Sequence, residues 1–110
     1  MTPPLRLAAL VARSIRGARV SPIRAAAERL LRPAPTDAEI AEAVALWEAV
    51  RADAEPLGAM LGLLRVLCED EPRGVGLDRA VVLCAGRERR AIRETTGRAI
   101  LAAHRRAVAA

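Results

Sequence analysis

Apolar residues recur at helical spacing from the start of the chain. Leu7, Val11 and Ile15 fall at i, i+4 and i+8, with Arg6, Arg13 and Arg16 off that face. Pro3 and Pro4 suit a first helical turn, where the backbone N–H has no partner to lose, and Gly17 marks an end. A second helix is predicted from Ser21 as N-cap and Pro22 at the first helical position. Its inward stripe is Ile23, Ala26, Ala27, Leu30 and Leu31, and Pro33 and Pro35 stop it because each forces its predecessor out of helical geometry. The third helix has the clearest start signal: Thr36 caps, Glu39 reaches back as a capping box, and Asp37 adds negative charge at the positive dipole end. The stripe expected on it is Ile40, Ala43, Val44, Trp47 and Val50, with Trp47 in the core as the largest filler available. From Pro56 onward, Leu57, Met60, Leu61, Leu64, Leu67 and Cys68 make one face and Leu63 and Val66 another. A helix apolar over most of its circumference is a central one. Gly58 and Gly62 lie one turn apart and form a small ridge that another helix can approach closely.

Glu69 to Gly76 is polar and broken by Pro72, Gly74 and Gly76, which predicts a loop. Beyond it, residues 77–85, 87–96 and 98–109 read as short helices punctuated by Gly86 and Gly97. No alternating stretch is long enough for a strand, and no repeat is present. The expected fold is all-α, a compact bundle of six or seven short helices in a single domain over residues 1–110. Residues 1–76 form its first part and residues 77–110 its second.

Composition sharpens this picture. With 53% hydrophobic and 28% charged residues in 110, the chain falls in the class of soluble globular proteins. Phe and Tyr are absent, so the core must be filled by Leu, Val, Ile, Ala and Met. All 18 basic residues are Arg; because Arg, Ala, Gly and Pro share GC-rich codons, the choice of Arg over Lys says little by itself about phosphate. The net charge of +5 conceals a segregation. Residues 1–36 carry seven Arg and one Glu (+6), residues 37–78 three Arg and ten acids (−7), and residues 79–110 eight Arg and two Glu (+6). Such asymmetry implies an anionic partner for the ends, or attraction between the thirds within one chain or between chains.

Candidate chemistry is sparse. Cys68 and Cys84 lie within apolar helical patterns without a histidine cluster and read as buried thiols of a reducing cytoplasm, not as a disulfide or metal site. No apolar run reaches the ~18–20 residues of a membrane span. The Arg-rich start is kept within the fold, because no cleavage site marks it as a targeting segment. The one histidine, His104, and the two serines, Ser14 and Ser21, have no partner residues at catalytic spacing, and consecutive Glu69, Asp70 and Glu71 do not face one another. Neither an enzyme nor a cofactor or metal is expected.

The stretch from Gly86 to Ala107 carries seven arginines. Gly86, a polar helix bearing Ile92, Gly97 in a turn and an Arg-rich helix from Arg98 resemble, over about 33 residues, the helix-turn-helix superfamily. The resemblance implies a regulator or DNA-packaging accessory whose last helix enters the major groove of double-stranded DNA. On that helix Arg98, Ala102, Arg105 and Ala109 share one face with Arg106 beside it, while Arg89, Arg90 and Arg93 would reach flanking phosphates. The competing expectation is a helical interaction module or oligomerising adaptor, in which the arginines meet an acidic protein surface or the acidic centre of a second copy. Arg93 after Ile92, and Ala103 where a β-branched residue is usual, favour the adaptor. Base stacking needs aromatics, and Trp47 alone does not favour RNA or single strands.

Overall fold

In the computed structural model, which describes residues 2–109, helix α1 runs Pro3–Arg13, α2 Ser21–Leu30 and α3 Asp37–Arg51. Helix α4 runs Pro56–Cys68, α5 Val75–Glu88 and α6 Glu94–Ala109, with single 3₁₀ turns at Ala18–Val20 and Pro72–Gly74. The chain is an all-α bundle, and no strand occurs among the described residues. Helix α4 is the axle: Gly58 to Leu64 and Val66 to Cys68 are all buried, as an apolar circumference requires. α1, α3, α5 and α6 pack around α4, and α2 closes over α1 and α5.

Helix α1 is wider-faced than its three-residue stripe suggests, with Leu5 and the unbroken run from Ala8 to Ala12 buried. The run is Ala-rich, and small side chains can be enclosed from several directions by α2, α3 and α4. In α2, Ser21 is the first helical residue rather than the cap. The 3₁₀ turn supplies Val20 in that place, and no side chain closes the end. At α3 the capping box forms as expected: Thr36 Oγ1 accepts from the Glu39 N–H at 3.2 Å, and Glu39 accepts from the Thr36 N–H at 3.0 Å.

The inner face of α3 differs from the expected stripe. Ala43, Leu46 and Val50 are buried, Trp47, Glu39 and Glu42 are half-buried, and Ile40 and Val44 face outward. The helix is rolled toward Glu39 and Glu42 because both have partners on neighbouring helices, Arg6 and His104. Trp47 packs against the core but also lines a surface cleft of about 620 Å³ with Ile15, Leu57 and Met60, so it is not fully enclosed.

The last third is two helices, not three. Gly86 lies inside α5 and Gly97 inside α6, and the chain turns at Arg89 to Arg93. Arg89 takes the left-handed C-cap conformation, φ 51°, and the Arg89 and Arg90 N–H groups bond back to Gly86 and Ala85 carbonyls. The expected loop at Glu69 to Gly76 is correspondingly shorter, since α5 already begins at Val75.

Gly62 and Gly97 explain the closest helix pair. A Cβ on Gly62 would overlap the Arg93 carbonyl, and one on Gly97 would overlap the backbone of Gly62 and Leu63. The α4 ridge of Gly58 and Gly62 therefore receives the start of α6, with the Arg93 N–H donating to the Gly58 carbonyl at 3.2 Å.

Candidate functional site

The six arginines expected to meet phosphates divide into two groups. Arg98 forks onto Glu69, its Nη1 donating to Oε1 at 2.9 Å and its Nη2 to Oε2. Arg93 donates to Asp53, and Arg90 lies 3.4 Å from Glu55. Arg89, Arg105 and Arg106 are exposed and have no ion-pair partner among the described residues. The structure thus assembles no single six-arginine surface: half the set is held by carboxylates of the same chain.

The same pattern recurs at the other end. Arg6 donates through Nε to Glu39 at 2.6 Å and through Nη2 to both Glu39, at 3.0 Å, and the Pro33 carbonyl, at 3.2 Å. His104 Nε2 lies 2.9 Å from Glu42. In each case a basic end meets the acidic centre within one molecule, which is the intrachain form of the charge attraction expected from the sequence. Ion pairing leaves its mark on acidity. The Arg6 guanidinium and the Thr36 N–H hold the Glu39 carboxyl down to about 2, and Arg98 lowers that of Glu69. The Asp53 carboxyl is lowered first by the Glu55 N–H and then by Arg93.

The outward face of α6 is consequently of mixed sign. Arg98, Arg105 and Arg106 line one groove with Glu69, Asp70, Glu71 and Leu101. A phosphate brought to these arginines would also meet three carboxylates.

Ser14 donates to the Leu10 carbonyl of its own helix at 3.3 Å. Both cysteines are buried and free, and burial pushes the Cys68 thiol up to about 12 and that of Cys84 upward, which keeps them protonated and unreactive. Among the described residues no group of His, Cys, Asp and Glu has the arrangement of a metal site, and no helix is long and apolar enough to cross a membrane.

Two surface features escaped the sequence reading. On α5, Val75, Val82 and Leu83 are exposed, and on α3, Ile40 and Val44 are. The periodicity of α3 pointed these two inward, and that of α5 was cut at Gly86, so neither face was visible as such. Comparison of the chain with protein-family models, curated proteins and solved structures returns no match, so the functional reading rests on these charges and faces.

Proposed function

We propose that this protein is a non-enzymatic α-helical interaction module whose partner is a protein surface. The observation that carries the reading is the use of the arginines. Arg6, Arg90, Arg93 and Arg98 fasten the basic ends onto carboxylates of the acidic middle, and Arg105 and Arg106 share their groove with Glu69, Asp70 and Glu71. Neighbouring exposed apolar side chains, Ile40 with Val44 on α3 and Val82 with Leu83 on α5, support it further, because grouped exposed apolar surface marks interaction sites.

Double-stranded DNA is the second reading, favoured by Arg89, Arg105 and Arg106, which keep their charge unpaired among the described residues. Titration of a labelled random duplex across a salt series separates the two. The interaction module shows weak binding with a shallow slope. A steep loss with salt, about 0.9 log units of affinity per log unit of salt for each phosphate contact, would establish DNA binding and displace the protein-surface reading.

A further inference from the structure

We propose that the outer arc of α5 is occupied by a second copy of this chain, which docks the outer face of its α3 there, so that copies associate head to tail. The inference rests on the interaction-module reading and names its partner.

Two observations about α5 converge. At 100° per residue, Val75, Val82 and Leu83 fall on one outward arc together with Gly76 and Gly86. All three apolar residues are exposed, Leu83 the most at 60%. The glycines are the second observation. A Cβ on Gly58, Gly62 or Gly97 would run into backbone of the same chain, whereas one on Gly76 or Gly86 would meet nothing within 4 Å. A glycine inside an exposed helix is unfavourable relative to alanine, and nothing within the chain makes use of these two. Helices α4 and α6 approach closely because side chains are missing where they cross; α5 carries the same feature on a face turned outward.

Charge selects the occupant. Arg79 lies within the arc, between Val75 and Leu83, and Arg87 at its edge, neither with an ion-pair partner among the described residues. Two α5 arcs facing each other would set these arginines against their copies. The fitting surface is an apolar one that carries carboxylates, and the chain has it on α3. Ile40 and Val44 are exposed there, on an arc with Asp37 and Glu48 and with the small Ala41 and Ala45 alongside. Arg51, at the far end of that arc, lies 3.9 Å from Glu48, a loose contact between two exposed side chains that leaves Glu48 able to meet an incoming arginine. Helices α3 and α5 pack on α4 and do not form a packed pair with each other. Each copy therefore offers both surfaces at once, and two unlike surfaces make a heterologous contact.

Sedimentation velocity on the full chain over a concentration series, at low and high salt, tests this. The expected result is association that weakens as salt screens the opposed charges. Leu83→Glu blocks the α5 face and Val44→Glu the α3 face; both sites are exposed, and unchanged helical circular dichroism checks that each variant folds. Each variant alone should associate about thirtyfold more weakly or worse. An equimolar mixture should recover association and stop at a one-to-one dimer, since each supplies the face that the other lacks. A mixture that stays monomeric overturns the proposal. Association kept by Val44→Glu and lost by Leu83→Glu means that α3 is not the occupant, and overturns it too. A native chain that stays monomeric to its solubility limit overturns self-association, while the interaction-module reading is judged separately by the duplex titration.

Discussion

Glu39 joins three roles in one side chain: it closes the capping box of α3, pairs with Arg6 of α1, and so rolls α3 about its axis. Its carboxyl, held at about 2 against an ordinary 4.5, lies below its unfolded value. The stabilisation is therefore complete above about pH 4.5 and is lost as pH falls toward 2. Glu69 and Asp53, also lowered, act in the same direction. Glu39→Gln should lower the thermal midpoint at neutral pH and flatten its decline over that acid window; an acid profile equal to that of the native chain would show that the pair is not coupled to folding. At Trp47 the expected loss is moderate. Half-buried beside its cleft, the indole gives up less on Trp47→Ala than the ~3–5 kcal/mol of an enclosed aromatic, and about 2 kcal/mol should be found by denaturant titration. Arg89 holds a left-handed backbone that glycine adopts freely, so Arg89→Gly should raise stability by about 1 kcal/mol, with loss of stability as the contrary outcome.

Element by element, the sequence was most legible where a local chemical signal marks a helix end or where nearly every position is apolar. The Thr36 to Glu39 cap and the buried α4 are of this kind. It was least legible where a tertiary partner overrides the local signal. The apolar stripe expected on α3 leaves out Glu39 and Glu42, yet Arg6 and His104 draw them to the inner face, and Ile40 and Val44 are turned out in exchange. Gly86 and Gly97 read as helix stops, but a glycine ends a helix only when the left-handed cap falls on it, and here the cap is Arg89. Gly97 instead belongs to a close crossing whose other half, at Gly62, lies 35 positions earlier, a relation no local window contains. The helical glycines should accordingly answer in opposite ways. Gly97→Ala drives a methyl into the α4 backbone and should cost about 3 kcal/mol or more, through overpacking that cannot relax. Gly86→Ala, with open space around it, should raise monomer stability by about 0.5–1 kcal/mol while weakening association. Equal effects at the two sites in chemical denaturation would remove the distinction between inward and outward glycines.

At the scale of the whole molecule, the division into basic, acidic and basic thirds was legible in the sequence; its resolution was not, since Arg6 and Glu39 or Arg98 and Glu69 meet only after the bundle closes. A charge count cannot tell arginines that reach outward from arginines that fasten the chain to itself. That is why Arg90, Arg93 and Arg98 joined the expected phosphate face, although their partners lie in the middle third. The fastening can be tested by a charge reversal whose second step restores the net charge. Arg98→Glu sets a carboxylate against Glu69 and should lower the thermal midpoint by a few degrees, as like charges at contact distance do. Adding Glu69→Arg to that variant rebuilds the pair in reverse and should restore most of the loss, keeping the formal net charge of +5. Duplex affinity supplies the second readout. A surface that binds DNA through Arg98 would lose affinity in the single variant and not recover it by position, whereas a fastening pair leaves duplex binding unmoved and the midpoint recovered. A midpoint that fails to recover in the swap would show that Arg98 and Glu69 are neighbours without being coupled, and would free Arg98 to join Arg105 and Arg106 as an outward-acting cation.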